Sequence, residues 1–316
     1  MNASNPTTSS VENNSPSQGK ETACARHNSR RLRIVALSFL LSLIAVIVIG
    51  FILFKTGRLE NVLVNFFGPP KVKLHEAYDE KTGGPEMDHS LFESLLKNNV
   101  DSDGWVNYEN IKNDPKLLDN YIAALRTTPF DDMGRSQKLA LLINAYNAFT
   151  IKLIVENYPL SSIKDIPAAK RWDDIRWNVG GHVWSLTQIE QKQIRPKFKE
   201  PRIHFALVCG AIGCPPLRNE VYQANHLEAQ LSDQAVYVHS HQTWFQFDST
   251  KDDLVRLTKL YSWYGDDFTQ VAGSPIDFAA RYSPQLQQSL NSGTSPRIFW
   301  LDYDWTLNDK KNKSPR

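Results

Sequence analysis

Cysteine is scarce in this chain. Three residues among 316, Cys24, Cys209 and Cys214, exclude a fold held together by a disulfide framework. No Cys-x-x-Cys pair occurs, so the spacing that tunes thiol redox proteins is missing as well. A dominant charge is also lacking. With 36 Lys and Arg against 34 Asp and Glu the formal net charge is +2, which argues neither for nor against an acidic partner, and no nucleic acid is expected among the partners. No internal repeat is evident. Asp101-x-Asp103-Gly104 has the opening of a calcium loop but lacks the later ligands and the closing Glu, so it reads as a solvated turn. His204, Cys209 and Cys214 are zinc-ligand types, but their spacing fits no familiar zinc pattern. No metal and no cofactor is expected.

What the chain does have is one long apolar run. Ile34 to Phe54 carries no charge over about 21 residues, which at about 1.5 Å per residue matches a hydrocarbon core about 30 Å thick. It is expected to span a bilayer once, as a retained signal-anchor, because the stretch is too long and its flanks are wrong for a cleaved leader. Lys20, Arg26, Arg30, Arg31 and Arg33 precede it, and this excess places the N-terminus in the cytoplasm. The C-terminal part is then extracytoplasmic, periplasmic if the source is bacterial. Residues 1–30, rich in Asn, Ser, Thr and Pro, are expected to be a disordered cytoplasmic tail. Residues 55–88 read as an exposed juxtamembrane stalk, 89–309 as the globular domain and 310–316 as a loose tail.

Within the domain, Arg135 to Tyr158 is apolar around most of its circumference, which predicts a central buried helix. Asn144 and Asn147 lie three apart on one flank of it, with Tyr146 nearby. Buried amides need partners, here either the backbone of a neighbouring irregular segment or a ligand. Shorter helices are expected at Ser90–Asn98, Leu117–Arg126, Ser185–Ile194, His226–His239 and Pro275–Tyr282. Trp177 and Trp184 flank a hairpin turn at Gly180-Gly181. Arg202–Val208, Thr243–Phe247 and Arg297–Leu301 read as strands. The expected fold class is α+β: a single compact mixed helix-and-strand domain with a small sheet around the central helix, preceded by the transmembrane helix.

The run His204-Phe-Ala-Leu-Val-Cys209-Gly-Ala-Ile-Gly-Cys214-Pro-Pro-Leu-Arg218 concentrates the chemistry. A thiol becomes a nucleophile when its thiolate is favoured by a cation, an imidazole or a helix N-terminus. Cys209, at the rim where the loop begins, is the candidate nucleophile. His204 is the candidate base, although on a regular strand it faces away from Cys209. Glu190 is the candidate orienting acid. Asn144, Tyr146, Asn147, Cys214 and Asp304 are candidate substrate-binding or supporting residues. The bland alternatives stay open: a core histidine, an incidental buried thiol, a local Cys209–Cys214 disulfide, and a solvated carboxylate at Glu190.

The segments LALLINAYNAFTIKLI (139–154), SLTQIE (185–190), RIHFALVCGAIGCPPLR (202–218), SWYGDDF (262–268) and DYDWTLN (302–308) resemble, in order, the family known as domain of unknown function 547. The resemblance implies a compact mixed domain, often with a signal or anchor in bacteria and sometimes joined to glutaredoxin-like modules in plants, but it implies no reaction. Two departures bear on the site. Gln191 stands where the family pattern often has His, and plant-type members keep a counterpart of Cys209 more readily than one of Cys214. Both turn attention to Cys209 with His204. The expected function is a thiol-dependent hydrolase or acyl-transfer enzyme, with a non-catalytic binding or envelope-assembly module and a thiol-disulfide exchange protein as rival readings.

Overall fold

The computed structural model describes residues 37–48, 50, 69–248 and 254–314. These fall into two units, 1–59 and 60–316. In the first unit, Leu37–Val48 is helical, and its apolar side chains, Leu37, Phe39 and Ile47 among them, are exposed. The expected tail 1–30 and most of the remainder of the expected span 34–54 lie outside the described residues. Among the described helices, Arg135–Asn157 alone is long and apolar enough to cross a membrane, and it is mostly buried within the second unit.

That helix is the centre of the second unit, an α+β domain. Seventeen of its 23 residues are buried, as an apolar pattern without a polar face requires, and it stops ahead of Pro159, which disfavours helical geometry in the preceding residue. Helices Ser90–Asn99, Tyr108–Asn113 and Lys116–Leu125 pack around it and one another. Phe92 stacks on Tyr121 at 4.9 Å and Phe149 on Trp177 at 4.6 Å. The hairpin β1 (Trp177–Val179) and β2 (His182–Trp184) forms where expected, with Gly180 and Gly181 at positive φ in its turn. Ser185 and Gln188 make a reciprocal cap, after which the chain widens into a π-helical stretch, Ile189–Ile194.

A second apolar cluster includes Phe205, Val238, Trp244, Tyr261, Phe268 and Phe278. It carries the three-stranded sheet of β3 (Phe245–Phe247), β4 (Leu254–Leu257) and β5 (Arg297–Trp300). β3 and β4 are antiparallel, whereas β4 and β5 are parallel. A parallel pair needs a long crossover, and four short helices between Lys259 and Asn291 supply it. The sheet expected around the central helix is therefore two separate sheets, and the larger belongs to this second cluster.

Three further expectations are corrected. Arg202–Val208 is not a strand: Ile203–Ala206 forms one helical turn, because a short apolar run buried on all sides carries no period that separates helix from strand. Residues 70–81, expected in the exposed stalk, are strapped along the domain. Gln270 bonds the backbone of Val72 and Leu74 at 2.8 and 2.9 Å, and Glu76 forms a two-point pair with Arg135 at 2.7 Å. Lys313, in the expected loose tail 310–316, is also held. Lys313 pairs with Asp101 and Asp103 at 2.7 and 3.2 Å, so a lysine ammonium sits at the turn whose sequence has the opening of a calcium loop.

Candidate functional site

The thiol loop is shaped from two sides. On the central helix, Asn147 accepts from Val208 N–H at 2.9 Å and donates to Ala206 C=O at 3.0 Å, thus pairing with both backbone polarities of the irregular chain beside it. Asn144 does the same to Tyr222, at 2.8 and 2.9 Å. Both amides meet backbone, one of the two partners expected for them. On the other side, the C-terminal segment runs antiparallel to the loop through the Ala211–Leu307 bridge, with Ile212 N–H and Gly213 N–H donating to Thr306 and Asp304 carbonyls at 2.8 Å.

Two glycines permit this course. Gly210 has φ +83°, and a Cβ there would lie 2.5 Å from Ile154 Cδ1. At Gly213 a Cβ would lie 2.7 Å from the Asp304 nitrogen. The Asp304 carboxylate is turned into its own loop, accepting from Thr306 N–H at 2.8 Å, so its backbone rather than its side chain serves the thiol loop.

The loop presents two unlike thiols. Cys209 is half-buried and Cys214 buried, both unoxidised. Cys209 Sγ lies 3.2 Å from the Tyr303 hydroxyl, and Cys209 N–H donates to Cys214 Sγ at 3.3 Å. The Cys214 thiol holds the Cys209 pKa below the usual thiol value, against the opposing effect of burial, with help from Tyr303 and the Ala211 N–H. Cys214 is driven well above its ordinary range by its side-chain contact with the Cys209 thiol and by burial, while the Cys209 N–H bond works the other way. The pair thus favours ionisation at Cys209 over ionisation at Cys214.

His204 lies in a different set of contacts. It is buried on the Ile203–Ala206 turn, with Nε2 2.8 Å from Asp267 Oδ2. Arg195 grips the same carboxylate at two points, Nε and Nη2, at 2.7 and 2.8 Å. Side-chain exposure of Arg195, His204 and Asp267 is 1% each. Burial lowers the His204 pKa despite Asp267. Burial pushes the Asp267 carboxyl up, but bonds from His204 and Arg195 outweigh it and hold the acid below its ordinary value. A neutral imidazole donating from Nε2–H to an ionised carboxylate leaves Nδ1 as its acceptor nitrogen. The face of His204 stacks on Tyr264 at 3.8 Å, and Tyr264 O–H donates to Glu190 Oε1 at 2.6 Å. Gln191 Nε2–H also donates to that oxygen, at 2.9 Å, and Arg195 bonds the Gln191 amide oxygen. No hydrogen bond joins His204 to Cys209 among the described residues.

Tyr146 links the two sets. Its pKa is raised well above the usual value by burial and then by its electrostatic interaction with Glu190, Cys209 and Cys214, so its hydroxyl remains protonated. No hydrogen-bond partner for that hydroxyl is found among the described residues. Asp267, Arg195, Tyr264 and Tyr303 were not singled out from the sequence, although Tyr264, Asp267 and Tyr303 lie in the SWYGDDF and DYDWTLN segments. Pairing across 63 residues, from His204 to Asp267, leaves no local pattern.

A surface cleft of ≈ 380 Å³, lined by Glu86, Asp88, His89, Gln137 and Asn225 among others, includes none of the sequence-predicted site residues. Among the described residues no group of three or more His, Cys, Asp or Glu is arranged to hold a metal ion.

Residues 130–237 match a family model described as protein of unknown function, DUF547. This interval holds the central helix, the π-helical stretch with Glu190 and Arg195, His204 and both thiols; Asp267, Tyr264 and Tyr303 lie beyond it. No curated protein and no solved structure matches the chain.

Proposed function

We propose that the domain, whose residues 130–237 match that family model, is a thiol-dependent acyl-transfer enzyme or hydrolase with Cys209 as its nucleophile. One observation carries this reading: Cys209 is half-exposed and its ionisation is favoured, while Cys214 beside it keeps its proton. A stabilised, reachable thiolate is the prerequisite of covalent acyl chemistry.

In this mechanism the Cys209 thiolate forms a C–S bond to the acyl carbon, and the carbonyl electron pair moves onto oxygen. Tyr146, protonated and without a described partner, is the donor available to that oxygen. Collapse re-forms the carbonyl and breaks the bond to the leaving group, which takes the proton of Cys214. Once Cys209 is acylated its negative charge is gone, so the charge that opposed ionisation of Cys214 is relieved. Water then attacks the thioester, and Cys214 recovers its proton as Cys209 leaves as thiolate. His204 is assigned a positioning role: fixed on Asp267, it supports the Tyr264 ring, and Tyr264 orients Glu190.

The proximity of the two sulfurs favours one second reading, thiol-disulfide exchange, in which Cys209 attacks a disulfide and Cys214 resolves it. As regards location, we propose a single-pass anchor through residues 34–54 with an extracytoplasmic domain. The exposed apolar side chains of Leu37–Val48 and the basic residues before them support it.

The test is alkylation of the reduced protein by iodoacetamide at neutral pH, read by the masses of the peptides that carry Cys24, Cys209 and Cys214. Cys209 is expected to react faster than a free cysteine and faster than Cys24, and Cys209→Ser to abolish this fast phase with little change in melting temperature. An unreactive Cys209 would sink the proposal. Incubation with an activated acyl thioester and, separately, with glutathione disulfide distinguishes the two readings. Acyl transfer gives a transient acyl adduct and exchange an internal disulfide.

A further inference from the structure

Resting on the thiol reading, a second set of side chains beside Cys209 bears on what the enzyme accepts. Tyr303, in contact with the Cys209 sulfur, is 4.9 Å from Trp263 and 4.7 Å from Trp305 by ring centroids, and the two indoles are 6.0 Å apart. All three rings are half-exposed. Tyr303 and Trp305 pack on the central cluster and Trp263 on the second one, so the rings are anchored from both cores. Partly buried aromatic rings that leave area open to solvent present a flat apolar surface of fixed geometry.

One cation sits on this surface. Lys164 Nζ lies 3.7 Å from the Trp305 ring centroid, held by a cation–π contact, and has no carboxylate partner among the described residues. Its charge and the Cys209 thiolate act on each other, and Arg171 adds a further positive charge. Asp165 and Asp304 hold their carboxylates against backbone N–H groups of Ser161, Ser162 and Thr306. Asp302 is exposed beside Tyr303 and supplies the opposing charge.

We propose that Trp263, Tyr303 and Trp305 with Lys164 form the acyl-side subsite, and that the substrate class is an acyl compound bearing a flat or aromatic ring and an anionic group. The ring lies on the indoles, the anion meets Lys164, and the acyl carbon reaches Cys209 past Tyr303. In this arrangement the aromatic wall sets specificity and Lys164 sets the preferred charge.

The experiment measures alkylation rates at Cys209 of the full-length chain in detergent micelles, using iodoacetamide, iodoacetate and N-benzyl iodoacetamide, each normalised to its rate with free N-acetylcysteine. The benzyl reagent is expected to gain about fivefold over iodoacetamide, a gain lost in Trp305→Ala and partly kept in Trp305→Leu. Iodoacetate is expected to gain about threefold, a gain lost in Lys164→Gln while the benzyl preference remains. Melting temperatures of the variants show that the domain is intact. Reactivity at Cys209 with identical normalised rates for the three reagents, or rate ratios unchanged by the substitutions, would overturn the subsite and leave the thiol nucleophile standing. No reaction with any reagent would remove both.

Discussion

The Arg195–Asp267–His204 set and the Cys209–Cys214–Tyr303 set are fed by the same stretch of chain but treat charge in opposite ways. In the first, a guanidinium, a carboxylate and an imidazole are almost fully buried and joined by bonds of 2.7 to 2.8 Å. In the second, ionisation is favoured at one half-buried cysteine, chiefly by hydrogen bonds from its neighbours. The first arrangement is costly to disturb and has little room for a substrate. The second is open to one. A cluster rich in titratable groups is thus not a reaction centre by virtue of its groups; under the proposed function, what distinguishes the thiol set is a cysteine that is only half-buried.

The comparison is broken most directly by removing the shared carboxylate. Asp267→Ala leaves Arg195 buried without its counter-ion, and loss of one partner of a buried pair costs about 3 to 5 kcal/mol. Urea unfolding is expected to show this, with Cys209→Ser changing stability by less than about 1 kcal/mol. Equal effects would erase the distinction between scaffold and site. Acid sharpens the same contrast. Burial lowers the pKa of His204 and brings His89 and His239 down to about 4, so the unfolded chain takes up these protons first as pH falls. Stability is then complete above about 6.5 and declines towards pH 4, with His239 alone contributing roughly 3 kcal/mol. Asp267, held low, adds its loss only below its unfolded value, near 3.9. Denaturation midpoints that stay level from pH 7.5 to 4.5 would contradict this. At Gly210, with φ +83° and Ile154 packed where a Cβ would stand, substitution by Ala is expected to cost about 1 to 3 kcal/mol and to slow Cys209 alkylation as well.

Legibility in the sequence followed the range of each interaction. The central helix and the Gly180-Gly181 hairpin depend on neighbours a few residues apart, and the chain states them. Arg202–Val208 has the composition of a buried strand, and only burial on every side, which is tertiary, makes it a helical turn. The parity argument against a His204–Cys209 contact rested on that strand. The two residues nonetheless share no hydrogen bond, because the imidazole is engaged by Asp267. Asn144 and Asn147 were recognisable as amides in need of partners, since a buried polar group on an apolar helix is anomalous locally. That Tyr303 reaches Cys209 from 94 residues away was legible only as a motif at the end of the chain.

A small change in stability accompanies the test of the difference between the thiols themselves. Cys214→Ala removes a small buried group, at about 1 kcal/mol, but also the thiol donor that contributes most to lowering the Cys209 pKa. The pH profile of Cys209 alkylation is therefore expected to shift to higher pH, with a slower rate at neutrality. Cys214→Ser, which restores a donor, is expected to recover part of the shift. If instead Tyr303→Phe moves the profile further than Cys214→Ala, the phenol rather than the second thiol holds the charge. The pairing of a reactive with a resting thiol would then give way to a single cysteine ionised by its aromatic neighbour.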